Sequence, residues 1–431
     1  MRIRSIVKKL IPKGVFEKIE PLGHWGEAVL VNLAMGMPTR GLKVIGVTGT
    51  DGKTTTCTMI YQMLRESGVK ASLLTTVSVD IADGKGERPS TVGLTTASVR
   101  QLLGMLKKCR QNGAEWVVLE TSSHALAQHR VWAVPYEIAV MTNVTHEHLD
   151  YHKTFERYVA AKVKLFKQAN HHRGLKTGVV NVDDPSARKF AGAIKNPVTY
   201  GTKDGELQAQ NIQLRPDGST YKAVIKDESY DIECRLPGDF NIYNSLAAVA
   251  VGRAVGLNKT DIERGIASLQ SVAGRMERIE VGQPFNVIVD YAVTPEALKV
   301  VLTTVQSVTK GNVHLVFGAT GDRDKDKRPI MGKIAAELAD KVYLTDDETY
   351  TEAPEAIRQA VFAGIEQAGG KSKTTVIDDR LEAIKTALGS AKPGDTVLLT
   401  GIGHQNYRNM GGEKQEWDER EIARRSALTE E

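Results

Sequence analysis

The sequence predicts an α/β protein: a P-loop-type central domain carrying a small antiparallel β insert, followed by a Rossmann-like α/β domain. Three observations lead there. From Leu42 onward, short apolar runs alternate with stretches of helical periodicity, which argues for a mostly parallel sheet covered on both faces. Between Leu207 and Leu236 the pattern changes to period two around Pro216-Asp217-Gly218-Ser219, as in antiparallel strands joined by a turn. A second alternation then starts near Gly274-Arg275. The expected organisation is a lead segment over 1–40, a central domain over 41–273 and a final domain over 274–431.

In order along the chain, the lead holds a helix from Trp25 to Leu33 and a break at Pro38. An apolar strand, Leu42 to Val47, feeds Gly49-Thr50-Asp51-Gly52, and Lys53-Thr54-Thr55 opens a helix with Met59, Ile60, Met63 and Leu64 on its apolar face. Strand, glycine turn and helix N-terminus together cradle polyphosphate. Backbone N–H groups and the helix dipole face the anion, the lysine adds a point charge, and the threonine hydroxyl suits Mg²⁺. The strict pattern would place glycine at Val47, so the loop is a variant. Further strands are expected at Trp116 to Glu120, Ile138 to Thr142 and Gly178 to Val182. In the final domain they fall at Val287 to Asp290, His314 to Phe317, Val342 to Thr345, Thr374 to Ile377 and Thr396 to Thr400. Helices start at Thr294-Pro295-Glu296, an N-cap followed by proline at N1, and near Arg328-Pro329.

Composition narrows the class. A net charge of +5 over 431 residues leaves no nucleic-acid footprint. Cys57, Cys109 and Cys234 lie far apart and form no CxxC pair, so a disulfide framework is not expected and a reducing cytoplasm is the default. No apolar run reaches membrane-spanning length, and no secretory signal pattern is present. The first twenty residues are basic, with Arg2, Arg4, Lys8, Lys9, Lys13 and Lys18 against Glu17 and Glu20. Such a segment suits either an anionic membrane surface or a solvated helix docked on the next domain.

Sheets of this kind put chemistry just beyond the strand ends. Glu120-Thr121-Ser122-Ser123-His124 follows one strand and Thr142-Asn143 to Asp150 the next, so Lys53, Thr54, Glu120 and His148 are expected to share one crevice. Oxygen donors around phosphates favour Mg²⁺; a zinc ion on His146, His148 and His152 is the alternative that histidine spacing allows.

These residues carry a resemblance. Gly46 to Thr56, Glu120 to Arg130, His148 to His152, Ala160-Ala161-Lys162, Leu236 to Asn244, Gly274 to Arg278, Asp290 to Pro295, Gly321 to Pro329 and Gly401 to His404 stand in the order found in the Mur ligases. Among these the chain most resembles the UDP-N-acetylmuramoyl-tripeptide synthetases, which add the third residue of the peptidoglycan stem peptide. The resemblance runs from about Leu42 to Arg425.

It implies an ATP-dependent amide ligase that forms an acyl phosphate on a muramoyl dipeptide and passes the acyl group to an amino acid. It further implies catalytic roles for Lys53, Glu120, His148 and Lys162. Two Mg²⁺ ions would sit on Thr54 with Glu120 and on His148 with a carbamylated Lys162. ATP would be held by Gly49, Thr50, Asp51, Gly52, Lys53, Thr54, Thr55, Asn143, Asn241, Asn244, Arg275, Asp290 and Arg323. Thr95, Thr96, Ser122, Gln128 and Arg130 would grip the donor, and a monomer is expected.

The departures are also informative. A lead of 40 residues is too short for the family's uridine-nucleotide domain, so the donor is expected to be recognised in another way, or to be lipid-linked or a non-muramoyl polymer such as polyglutamate or cyanophycin. Ala97 replaces a family proline and Val293 a family histidine. Asp346-Asp347-Glu348-Thr349 stands where diaminopimelate-adding members carry Asp-Asn-Pro-Arg, and Gln405 replaces a glutamate in the block beginning at Gly401. Loss of the guanidinium that would pair with an acceptor carboxylate argues for a simpler diamino acid, lysine or ornithine. Asp346, Asp347, Glu348, Gly401 and Gln405 are the expected acceptor residues.

Overall fold

The computed structural model describes residues 13–90, 95–215 and 217–428, without the side chains of 13–21 and Asp150. Arg2, Arg4, Lys8 and Lys9 of the basic lead and Pro216 of the expected turn lie outside the described residues.

Two sheets organise the chain. The first has eleven strands. At its centre lies Lys43–Thr48, buried along almost its whole length and paired in parallel with Trp116–Glu120 on one side and Tyr136–Met141 on the other. Val47 stands level with Glu120 and Thr48 with Met141, so three strand ends open onto one crevice. The two faces of the central strand feed different cores. Ile45 and Val47 pack with Met59, Ile60 and Leu246, and Val44 packs with Leu103, Leu126 and Phe166. Alternation of a strand's side chains accounts for this split. The helix Lys53–Glu66 is buried over most of its surface between the sheet and the helices Phe240–Val255 and Lys259–Ala267.

The period-two region forms the antiparallel strands expected, Leu207–Arg215, Gly218–Ile225 and Glu228–Cys234, and these extend the main sheet as its edge, because Asn196–Gly201 pairs in parallel with the first of them. The lead helix is longer than the expected Trp25 to Leu33, spanning Lys13–Ala34. Ala28 and Asn32 face inward, whereas Leu22, Trp25, Leu30 and Leu33 remain exposed. Among the described residues no helix is long and apolar enough to cross a membrane.

The second sheet has six strands, five in parallel with Glu277–Ile279 antiparallel at the edge. Thr294 caps Pro295–Val308 by accepting from the Ala297 N–H, as the N-cap-proline signature predicted. A hairpin, Tyr407–Met410 with Glu413–Glu416, and a last helix, Glu419–Leu428, complete this half.

Candidate active site

The phosphate cradle is built as its sequence suggests. Gly52 takes φ +78°, and a Cβ there would run into the Asn244 amide, so only glycine fits without displacement. Asn143 clamps the loop: its Oδ1 accepts from the Asp51 N–H at 2.9 Å, while its carbonyl accepts from the Thr50 N–H at 2.8 Å. Asn244 and Asn241 brace the helix from beneath. Thr56 Oγ1 donates to Asn244 Oδ1 at 3.1 Å, and Asn244 Nδ2 to Asn241 Oδ1 at 2.9 Å. Both asparagines are buried and support the loop rather than line its mouth. Lys53 Nζ folds back on the Thr50 carbonyl at 2.6 Å, and Thr55 is buried behind it.

Glu120 lies at its strand end as expected, almost fully buried. Its Oε2 receives Thr54 Oγ1 at 3.0 Å and both the N–H and Oγ1 of Thr76 at 2.9 Å. Thr76 was not singled out in the sequence; it reaches the site because Ala71–Leu74 pairs in parallel with Trp116–Glu120. Among the described residues Glu120 forms no ion pair, so a buried carboxylate and a hydroxyl point at the phosphate cradle. That donor set suits a hard divalent cation such as Mg²⁺.

Lys162 sits on the helix Phe155–His171, fully buried, its ammonium donating to the Gly49 carbonyl and lying 4.5 Å over the Tyr158 ring. Burial, and then the Lys53 charge, push it well below the usual lysine range. His148 occupies the left-handed region, φ +58°, a conformation few non-glycine residues adopt and one that clusters at functional sites. Burial, followed by the charges of His124, Lys162 and Lys53, keeps its ring below the ordinary imidazole range. The three histidines of the zinc alternative point apart. His146 stacks on Phe155 at 5.6 Å and His152 Nε2 meets Ser123 Oγ at 3.1 Å. Among the described residues no three His, Cys, Asp or Glu side chains converge as a metal cluster.

A hydrogen-bonded strip leads away from Glu120. Thr96 Oγ1 donates to the Glu120 carbonyl at 3.0 Å and accepts from the Ser122 N–H at 2.9 Å. Arg130 Nη1 donates to the Thr96 carbonyl at 2.9 Å and its Nε to Gln128 Oε1 at 2.8 Å, and Gln128 reaches the Tyr151 hydroxyl at 3.3 Å. Thr95, half-buried, begins the strip.

The second half supplies the opposite wall. Arg275 lies 4.9 Å over the Tyr291 ring, and its charge, with those of Lys53 and Lys162, opposes the burial that raises Asp51. Asp290 accepts from the Met276 N–H at 2.7 Å, and burial lifts its carboxyl to about 6. Arg323 stacks on Tyr350 at 4.8 Å.

Of the acidic run, Asp346 is not available as expected. Arg358 occupies it in a close ion pair, a partner twelve residues away that local spacing could not reveal. Asp347 is buried against Gly401, where a Cβ would meet its carboxylate. Glu348 is the carboxylate that meets Gln405, whose Nε2 donates to Oε2 at 3.2 Å, while the Asn409 N–H donates to Oε1 at 3.1 Å.

With this geometry in place, the comparisons are decisive. The sequence profile described as the Mur ligase middle domain matches residues 47–252, and that described as the Mur ligase, glutamate ligase domain matches 274–403. A protein named UDP-N-acetylmuramoyl-L-alanyl-D-glutamate--2,6-diaminopimelate ligase from Geobacillus kaustophilus is 40% identical over 402 residues, spanning 92% of this chain and 81% of the relative.

The chain is a Mur ligase.

The like-named protein of Bacillus licheniformis is also 40% identical, over 93% of this chain and 82% of its own length. A solved structure of a ligase of that name aligns at TM-score 0.63 and 31% identity, covering 95% of this chain and 82% of that one. The Mycobacterium tuberculosis folylpolyglutamate synthase aligns at TM-score 0.70 with 16% identity and shares the fold. As a Mur ligase the chain is an ATP-dependent, ADP-forming amino-acid ligase of peptidoglycan synthesis.

Proposed function

We propose that this Mur ligase joins a diamino acid, lysine or ornithine, to UDP-N-acetylmuramoyl-L-Ala-D-Glu. The donor carboxylate oxygen attacks the γ-phosphorus of ATP and ADP leaves. The acceptor's deprotonated amine then attacks the acyl carbon and phosphate departs. Lys53 and the loop N–H groups bind the phosphates, Arg275 and Arg323 approach from the other half, and Thr96, Ser122, Gln128 and Arg130 hold the donor. Two Mg²⁺ ions would be held by Thr54 and Glu120 and by His148 and Lys162, offsetting the repulsion between carboxylate and triphosphate. Burial makes Lys162 give up its proton more readily than an exposed lysine, and the neutral amine is the form that captures CO₂, which supports a carbamate there.

The observation that carries the acceptor choice is the Glu348–Gln405 contact. A carboxylate there pairs with a side-chain ammonium, whereas the guanidinium on this wall, Arg323, stacks on Tyr350 and is assigned to the phosphates of ATP. The relatives named above act, by their names, on 2,6-diaminopimelate, so competition is the test. Equimolar lysine, ornithine and diaminopimelate are offered with the donor, and products are weighed. Lysine or ornithine adducts are expected in at least tenfold excess; a dominant diaminopimelate adduct would refute the acceptor choice.

We further read the enzyme as a monomer that touches anionic membrane through its basic residues 1–20 and the exposed Leu22, Trp25, Leu30 and Leu33 beside them. Sedimentation with anionic vesicles but not with neutral ones is the expected result. Equal recovery with both would contradict the contact.

A further inference from the structure

The loop that presents Gln128 and Arg130 to the donor strip has a second side. His129 and Ala133 both adopt left-handed backbone, φ +52° and +63°. The conformation is held from two sides. Gln168 Nε2 donates to the Val131 and Val134 carbonyls at 2.7 and 3.1 Å, and from the lead helix region Asn32 and Thr39 donate to the Trp132 and Ala133 carbonyls at 3.4 and 2.9 Å. Between this loop and the helix Phe155–His171 lies a cavity of about 290 Å³, at the lower end of the range for small-molecule sites.

Its lining is chemically divided. Leu126, Val131 and Trp132 form an apolar floor, whereas His129, Lys164 and Lys167 supply donors. Lys164 and Lys167, both exposed to solvent, are three residues apart on one helix and therefore neighbours whose like charges repel weakly. No acidic side chain lines the cavity, and among the described residues neither lysine has an ion-pair partner. Burial and then the Lys167 charge pull Lys164 below its ordinary value, and burial and then Lys164 do the same to His129. A bound dianion would offset the repulsion between these charges.

We propose that this cavity binds the diphosphate end of the donor, with Lys164, Lys167 and His129 on the phosphates and the Trp132 floor under the group they carry. The inference rests on the donor reading above and extends it. Gln128 and Arg130 take the peptide-bearing part toward Glu120, and the reverse face of the same loop takes the diphosphate. The shared chemistry is a diphosphate with a non-polar or heterocyclic substituent, carried either by a uridine nucleotide or by a polyprenyl chain.

The test is calorimetric titration of the full chain with UDP and, separately, farnesyl diphosphate, with saturating ADP filling the P-loop. Binding should weaken at least tenfold in Lys164→Ala/Lys167→Ala and vanish in Lys164→Glu/Lys167→Glu, while the exposed Lys333→Ala leaves it unchanged. UDP binding identifies the nucleotide as source, and farnesyl diphosphate binding alone identifies the lipid. The KM for the diphosphate-bearing donor should rise by the same factor, with no change for N-acetylmuramoyl-L-Ala-D-Glu, which lacks the diphosphate. Absence of binding by both probes, or equal binding by the double variant, overturns the proposal. If ligation proceeds but is indifferent to the lysines, the cavity fails and the donor reading stands. If both probes bind through the lysines but no muramoyl donor is ligated, the donor reading fails instead.

Discussion

Lys162→Ala is expected to lower kcat roughly a thousandfold, the order seen when a group stabilising transition-state charge is removed, with little loss of thermal stability. The stability expectation follows from the site itself. Lys162 is buried beside Lys53 and Gly49, and among the described residues no carboxylate forms an ion pair with it. Burial and the Lys53 charge outweigh the more distant charges of Asp51, Glu147 and Glu120, so its removal relieves an unfavourable charge as well as emptying space. The rate expectation follows from the carbamate, which would convert a cation into the oxygen ligand that the second metal position requires. Wild-type activity should therefore fall in CO₂-depleted buffer and return with bicarbonate, whereas the variant should respond to neither. A variant retaining more than a tenth of wild-type kcat, or a wild type indifferent to CO₂, would remove Lys162 from the mechanism.

The largest stability effect is expected at a pair outside the nucleotide crevice. Arg380 and Glu419 are both fully buried. Arg380 Nε donates to the two Glu419 oxygens at 3.1 and 3.0 Å and its Nη2 to the Thr400 carbonyl at 2.7 Å, and Trp417 Nε1 donates to Glu419 at 2.7 Å. The pair thus ties the last helix to the strand end that leads into Gly401 and the acceptor wall. Glu419→Ala leaves a buried guanidinium without its carboxylate and should cost about 3–5 kcal/mol. Replacing both partners with apolar residues of similar volume should cost much less, because no unpaired charge remains. Urea unfolding of the three proteins checks this. A single variant within about 1 kcal/mol of wild type would show that the pair contributes little.

What could be read from the sequence, and what could not, divides by the range of the interaction. Lys53, Thr54 and Gly52 were legible because strand, turn and helix N-terminus are contiguous and each demands a particular residue. Glu120 was legible because a carboxylate ending an apolar run emerges at the carboxyl end of a strand. Thr76 was not, since it owes its place to the pairing of two strands more than forty residues apart. Asp346 is expected among the acceptor residues because Arg358, which pairs with it, comes from the next helix and nothing local announces it. The antiparallel strands were recognised by their period, but that they extend the main sheet depends on a parallel pairing at Tyr200 and Leu207, which period alone does not encode. Lys162 has the pattern of an ordinary helix-surface residue, and only the resemblance to the family singled it out.

The central claim, activation of a donor carboxylate as an acyl phosphate, has one direct measurement. UDP-N-acetylmuramoyl-L-Ala-D-Glu carrying ¹⁸O in the reacting carboxylate is incubated with ATP, Mg²⁺ and the preferred amino acid, and the released phosphate is analysed by mass. Transfer of one ¹⁸O atom into phosphate, in step with product formation, is the expected result. Unlabelled phosphate alongside ligated product would mean that the donor carboxylate never bonds to the γ-phosphorus, and the account would be wrong at its core.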